Sequence, residues 1–593
     1  MTFSHLPIGS QSYKDKSDFY ARFILEKQLL NPALWQKFVE VFRTREDIAD
    51  DGWRGEYFGK MMRGACLTYR YFPEPALYGL LEKTVLELLS AADEQGRIAT
   101  YTPEHELCGW DLWCRKYVLV GCLHFYEICR DETIKEKILA AMKRHLDAIE
   151  AKVGEGKTPI TETSHWYGGM NSSSLLEPVV EMYKMTKEPR YRALAEHIIR
   201  RGGCKEGSVI DAVKEGKLLP HEFPTTKAYE TMSYFEGILA YYEVTEESSL
   251  LSLVEKFSDL VAENEITLIG CAGCRNEHFD HAAVTQANDV PKKTIMQETC
   301  VTVTWMRLQE RLLRVTGKAK YADRIEVSAL NALYGAINLY GEEQYCKEEK
   351  RFLSGVPFDS YSPLVPARRG VGIGGYKKFA AGGYYGCCAC IGAAGTALYP
   401  LASAMLSEKG AVVLFPHEGE IAFPLSGGAL RLQITGSVAA GQVEYAVLSA
   451  PDAPLEILFR APTGCGEKSL TVCGEDFSEE DGYFPVRRAW RAGDRVSLLF
   501  KPLLQTHLLN GKAAFTFGPF ALARDERKEK GKIERVKLGK TSPTYLSLDP
   551  QDVEEVRLLL RTEKQEILLT DYASCGKHWT EKKSRIALWQ KVK

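Results

Sequence analysis

The spacing of apolar residues changes once along this 593-residue chain, near residue 408, and that switch most constrains what it can fold into. Before it, apolar residues recur every three to four positions, as in Leu77-Leu80-Leu81-Val85-Leu88-Leu89 and Trp113-Tyr117-Val120-Leu123. Further stretches of this kind fall near 133–151, 189–201, 226–244, 247–263, 295–316 and 319–339, so about a dozen helices are expected. After it, Leu430-Leu432-Ile434, Val443-Tyr445-Val447 and Leu455-Ile457-Phe459 alternate. Gly427-Gly428, Asp481-Gly482 and Asn510-Gly511 supply turns between such runs. The pattern predicts a mainly α region followed by an all-β region, most simply a sandwich.

Composition narrows the function classes. Lys and Arg number 76 against 79 Asp and Glu, a net charge of -3, which argues against a nucleic-acid partner. The basic run 524–540 reads as a solvated loop. No apolar run reaches the roughly 18 residues that a membrane helix needs, so no membrane partner is expected. Met1-Thr2-Phe3-Ser4-His5-Leu6-Pro7 does not read as a secretory signal. The 16 cysteines show no small-scaffold spacing, and reduced thiols in a cytoplasmic protein are the expectation.

Two short motifs carry the chemistry. Glu298-Thr299-Cys300 offers a carboxylate and a thiol, and Cys387-Cys388 offers two more thiols. Adjacent cysteines meet disulfide geometry poorly, whereas three thiols and a carboxylate can close a tetrahedral zinc site. Alone, Glu298 and Cys300 would read as a helix N-terminal acid beside a buried thiol; together with the cysteine pair, zinc is favoured. The loops 270–292 and 353–386 are too long to be mere connectors, and loops of that kind usually carry function. Cys271 and Cys274 form a C-x-x-C that reads as incidental, with a metal clip or redox pair as the alternative.

The order of these motifs resembles glycoside hydrolase family 127, the zinc-dependent β-L-arabinofuranosidases. Trp53-Arg54-Gly55-Glu56-Tyr57-Phe58-Gly59-Lys60, Gly109-Trp110-Asp111-Leu112-Trp113 and both cysteine motifs are similar to that family's pattern. So are Gly482-Tyr483-Phe484 and Phe517-Gly518-Pro519 in the β region. The resemblance implies an (α/α)6 barrel over residues 1–407 and a β-sandwich region over 408–593, whose tail either completes the sandwich or forms a second small one. It also implies zinc held by Glu298, Cys300, Cys387 and Cys388, with Cys387 as the nucleophile of a retaining hydrolase acting on small glycosides or oligosaccharides. Glu277, in Arg275-Asn276-Glu277-His278-Phe279, matches the expected acid/base, with Asp280 and Glu263 as fallbacks.

The chain departs from the pattern in three places. Asn276 replaces a glycine, and the spacing from Glu277 to Glu298 carries an insertion. Ala389-Cys390-Ile391 follows the cysteine pair where Pro-Pro-Asn is usual, which leaves open which thiol attacks. Ser174 stands where a sugar-binding histidine is expected, and none occurs near Tyr229-Glu230-Thr231. His165, Trp166, His221, Tyr229 and Tyr385 are the candidate substrate contacts. A different sugar, a non-catalytic carbohydrate-binding protein with structural zinc, another (α/α)6 enzyme such as an unsaturated-uronyl hydrolase or epimerase, and a zinc or redox sensor are the rival readings. A homodimer is left open.

Overall fold

Six helices pack side by side into a ring in the computed structural model, which describes residues 1–593 except 49–51, 274, 276, 289–296, 347–349, 373, 380–381, 530, 540, 547–553 and 563–564. They are Glu56–Tyr71, Asp111–Ile128, Leu176–Thr186, Ala228–Thr245, Thr299–Thr316 and Cys387–Leu401. Each touches the next, and the last touches the first. An outer layer of Pro75–Leu89, Glu132–Glu150, Pro189–Arg200, Ser248–Asn264 and Ala319–Ser328 covers them, completed by Lys16–Ile24 and Pro32–Thr44. This is the expected (α/α)6 barrel.

The sequence separates the two layers. Outer helices bury one stripe, as Tyr191, Leu194, Ala195 and Ile198 do in Pro189–Arg200. Inner helices are buried more widely: Cys387–Leu401 at every position, though Leu176–Thr186 buries only five of its 11 residues. Glycine sets the closeness of the ring. A Cβ at Gly59 would stand 2.0 Å from the Tyr117 carbonyl oxygen, and one at Gly64 would stand 2.7 Å from the Ala394 nitrogen. Helix Glu56–Tyr71 thus presses its neighbours on both sides through two missing side chains.

The β region holds two facing sheets and a third. Phe3–His5, Ala404–Ser407, Gly410–Val413, Leu455–Arg460 and Tyr483–Arg488 form one sheet. A seven-stranded sheet opposes it, and the inward residues Leu430, Leu432 and Ile434 lie in the shared core, as alternation predicts. Strands from Leu504 to Val592 build the third, nine-stranded sheet. The first strands differ from the division of the chain at 407. Phe3–His5 pairs with Ala404–Ser407, and Gln11–Tyr13 pairs with Gly419–Leu425, so the N-terminus is part of the β sheets. Strands of three residues are too short to show a period. Arg460 locks sandwich to barrel, its guanidinium 2.6 Å from Glu326 Oε2 on an outer helix. Among the described residues no helix is long and apolar enough to cross a membrane.

Candidate metal and active site

Four inner helices bring their N-terminal turns to one mouth of the barrel. Glu298 precedes helix Thr299–Thr316 and Cys300 lies in its first turn; Cys387 and Cys388 open helix Cys387–Leu401. Glu56 opens Glu56–Tyr71, and Lys227 precedes Ala228–Thr245. Helix N-termini carry partial positive charge and favour anionic groups such as thiolates and carboxylates.

One ligand atom from each of Glu298, Cys300, Cys387 and Cys388 lies within 4.8 Å of the others. Cys300 Sγ is 3.5 Å from Cys387 Sγ, and Glu298 Oε1 is 3.2 Å from Cys388 Sγ and 3.9 Å from Cys387 Sγ. Thiolates on a tetrahedral zinc stand about 3.8 Å apart, given a Zn–S bond of about 2.3 Å. Glu298 Oε2 is buried with no hydrogen-bond partner among the described residues. Donor type, spacing and the orphaned oxygen fit a zinc ion.

Without an ion the cluster is electrostatically divided. The Cys387 thiol is held well below the usual range, by S–H donation from Cys300 and Cys388 and then by the charges of Lys60 and Lys227. Burial pushes the Cys300 and Cys388 thiols up. Burial, with the nearby charges of Glu277 and Cys387, also pushes the Glu298 carboxyl well above its ordinary value. Cys387 is the most exposed of the four at 6%, against 0% for Cys388.

Glu277 joins this group. Its charge helps to push the Glu298 carboxyl up, and its Oε2 pairs with Lys227 Nζ. It takes a left-handed backbone, φ 64°, which turns the loop back onto the start of helix Ala228–Thr245. There Ala228 N donates to the Glu277 carbonyl at 2.9 Å, and Phe279 N to that of Thr226 at 2.7 Å. Lys227 Nζ also lies 5.0 Å above the Tyr167 ring. The fallback Glu263 is exposed on an outer helix, and Asp280 follows in the Glu277 loop.

The other sequence candidates fall into two groups. Tyr229 lies close to the cluster, its hydroxyl bonded to that of Tyr117 and its ring 4.4 Å from Lys60 Nζ. His165 and Trp166 sit at the mouth, where Trp53, Trp110, Trp166 and Tyr167 form a chain of rings with centroids about 6 Å apart. Tyr385 is buried against Phe38, and its hydroxyl accepts from Gln28 Nε2 at 2.7 Å. His221 is held by Glu265, Nδ1 to Oε1 2.7 Å, and stacks on His281. Cys390 is buried beside the cluster but outside its donor set. Cys271 Sγ lies 3.5 Å from the Glu298 carbonyl oxygen, and Cys274 lies outside the described residues.

Sequence reasoning missed the cation beneath the cluster. Lys60 is 2% exposed, with Nζ 3.8 Å from Cys300 Sγ and 3.0 Å from Glu56 Oε2. Burial pushes the Glu56 carboxyl up to about 7, against the pull of Lys60, and Trp113 donates its indole N–H to Oε2. The Glu56/Lys60 spacing of four was the available signal, but it reads equally as a surface pair. Gly375 was missed too. Its carbonyl accepts from the Trp53 indole at 3.0 Å and from the Tyr57 hydroxyl, and a Cβ there would stand 2.2 Å from Cys387 Sγ.

A closed ring of six helical hairpins with appended β sheets, carrying at one mouth three thiols and a carboxylate that could hold a metal ion, defines an (α/α)6 barrel protein. Residues 16–346 match the GH127 catalytic domain of beta-L-arabinofuranosidase and residues 415–501 the GH127 middle domain. The chain belongs to the GH127 beta-L-arabinofuranosidase family. It is 20% identical over 340 residues to a non-reducing end beta-L-arabinofuranosidase of Bifidobacterium longum subsp. longum, covering 50% of this chain and 49% of that protein. The chain thus aligns with about half the length of this curated relative. A solved GH127 beta-arabinofuranosidase superposes with a TM-score of 0.76 at 15% identity, over 100% of this chain and 98% of that one. A GH127 beta-L-arabinofuranosidase from Geobacillus stearothermophilus T6 gives 0.74 at 16% identity, over 98% and 100%. These likenesses establish the shared fold.

Proposed function

We propose that the protein is a retaining glycoside hydrolase of β-L-arabinofuranosidase type, acting on small glycosides or oligosaccharides. The observation that carries this reading is the four-donor cluster of Glu298, Cys300, Cys387 and Cys388 with Glu277 beside it. Zinc held by those four residues would supply the charge that keeps their thiols ionised. Cys387, the most exposed thiol, attacks the anomeric carbon, while Glu277 protonates the departing glycosidic oxygen. The sugar is then joined to sulfur, the aglycone has left with the Glu277 proton, and Glu277 is a carboxylate. A water gives its proton to Glu277 and its oxygen to the anomeric carbon, the carbon–sulfur bond breaks, and the starting state returns with net retention. Lys227 holds Glu277 in place through both stages. The aromatic chain at the mouth offers flat apolar faces for a sugar ring. A reducing cytoplasm suits this reading, because Cys300, Cys387 and Cys388 are thiols.

The test measures zinc content together with release of p-nitrophenol from its β-L-arabinofuranoside, in wild type and Cys388→Ala. One zinc per chain, lost together with turnover in the variant, is the expected result. Zinc with no turnover on any arabinofuranoside would favour the carbohydrate-binding alternative. Absence of zinc from protein purified under reducing conditions would overturn the reading.

A further inference from the structure

Glu277 stands in a tight turn, closed by His278 N donating to the Arg275 carbonyl at 3.0 Å. Such a turn points its side chain according to where its two arms are held. One side is tied to residues 226–228: besides the two backbone bonds given above, His278 Nδ1 lies 2.7 Å from Thr226 Oγ1. The other side meets Glu265, which caps the C-terminus of the outer helix Ser248–Asn264 and is 0% exposed.

Glu265 holds both arms of the loop. Its carbonyl accepts from Gly273 N at 3.3 Å, on the arm before Glu277. Its Oε2 accepts from three successive backbone N–H groups on the arm after Glu277: Asp280 and His281 at 2.9 Å and Ala282 at 3.3 Å. Successive N–H groups turned to one point form a nest for an anion, and His281 takes the left-handed backbone typical of nests, φ 59°. Here the anion is a side chain of the same protein. Its Oε1 is filled as well, by His221 Nδ1 at 2.7 Å, and the His221 ring stacks on that of His281.

The four donors satisfy a carboxylate that burial would otherwise make costly. The arrangement therefore works in both directions. The loop cannot leave Glu265 without stranding a buried carboxylate, and Glu265 cannot be removed without stranding three N–H groups of the loop. Lys227 holds the Glu277 carboxyl itself, whereas Glu265 acts on it through the backbone. We propose that Glu265 is a positioning residue for Glu277: by pinning Gly273 and residues 280–282 it sets where the acid/base carboxyl stands beside the thiol cluster. The inference rests on the glycosidase reading of Glu277.

The test compares kcat/KM on methyl and p-nitrophenyl β-L-arabinofuranosides for wild type, Glu277→Gln, Glu265→Ala and Glu265→Asp, with zinc content measured on each. Methanol is a poor leaving group that needs the acid, and p-nitrophenol leaves with little protonation. Glu265→Ala removes the acceptor, and Glu265→Asp draws it back by about 1.5 Å, the length of one C–C bond. Each should lower kcat/KM on the methyl glycoside by about 10²-fold, the cost a 1 Å misplacement can carry, and by less than about threefold on the p-nitrophenyl glycoside. Zinc content should match wild type. Turnover at saturation should fall on both, because Glu277 also takes the proton of the attacking water. A merely structural role would lower kcat/KM on both substrates together, through a smaller active fraction. Equal losses in kcat/KM, or no loss on either substrate, overturn the proposal; Glu265→Asp decides if Glu265→Ala does not fold. Turnover by wild type with the split present in Glu277→Gln but absent in the Glu265 variants sinks this inference alone. A wild type with no turnover sinks it together with the glycosidase reading.

Discussion

Lys60 Nζ lies 3.8 Å from Cys300 Sγ, at the buried side of the thiol cluster, and its one carboxylate partner among the described residues is Glu56 at 3.0 Å. Three thiolates and a carboxylate around a divalent ion carry an excess of negative charge, and Lys60 is placed to offset part of it. Lys60→Met should weaken zinc binding by about ten- to a hundredfold, the usual effect of losing a group that supports a ligand. Competition with a chromogenic chelator measures this directly. Unchanged zinc affinity in a folded Lys60→Met protein would show that the lysine serves only Glu56.

Glu277 and Lys227 make separable predictions. Glu277→Gln should lower kcat/KM by about 10² to 10⁴ on glycosides with poor leaving groups, and far less on p-nitrophenyl glycosides, whose leaving group needs little protonation. Zinc content should stay at the wild-type level, since Glu277 is not in the donor set. Lys227→Met should reduce turnover with both substrate types, because it frees the carboxyl from its position. Equal losses on both substrate types in Glu277→Gln would argue against the acid role.

Gly375 tests how tightly the nucleophile is packed. Its φ of +54° disfavours any side chain, and an added Cβ would collide with Cys387 Sγ. Gly375→Ala should therefore cost about 1–3 kcal/mol and displace Cys387, seen as loss of zinc. Gly382 shares the left-handed backbone, φ +84°, but faces open space. Gly382→Ala should carry the backbone strain alone and keep its zinc. Metal analysis and thermal melting of the two variants separate collision from strain.

His145 gives the fold an acid limit. It is fully buried, accepting from Ile98 N at 3.0 Å through Nδ1 and bonding the Arg115 carbonyl at 3.1 Å through Nε2. Burial, then the Arg115 charge, lowers its pKa from 6.5 to about 3. A depressed pKa means the neutral form is the folded one. Its stability contribution is complete above pH 6.5 and is lost as pH falls toward 3, at about 1.4 kcal/mol per unit. Between pH 6.5 and 5 wild type should lose about 2 kcal/mol that His145→Gln does not lose. Urea unfolding across that range reads the difference, and parallel pH profiles would refute the assignment.

The fold and the donor set were legible because each rests on a strong local signal. Helical spacing held for hundreds of residues and gave way to alternation, and an adjacent cysteine pair has few structural uses. Lys60 and Lys227 were not legible, since a lysine looks the same in sequence whether it meets water or a thiol. Tyr385 illustrates the opposite error. Its place two residues before Cys387 suggested contact with substrate, but a strand-to-helix turn can point a ring inward, and here Gln28 occupies its hydroxyl. His221 was chosen for its loop, and Glu265, far off in sequence, holds it. Phe3–His5 and Gln11–Tyr13 were hidden because their partners lie some 400 residues later.

The inner helix that closes the ring comes last in the chain and carries two of the four residues that could hold a metal. A ribosome must therefore deliver residue 388 before the cluster has its full set, and residues 404–425 before the first strands find their sheets. A nascent or truncated chain with five of the six inner helices has a seam where Glu56–Tyr71 should meet its last neighbour, and at that seam it lacks Cys387 and Cys388. Completion of the barrel and assembly of the four-residue cluster thus arrive in the same event, and half-made copies lack that cluster.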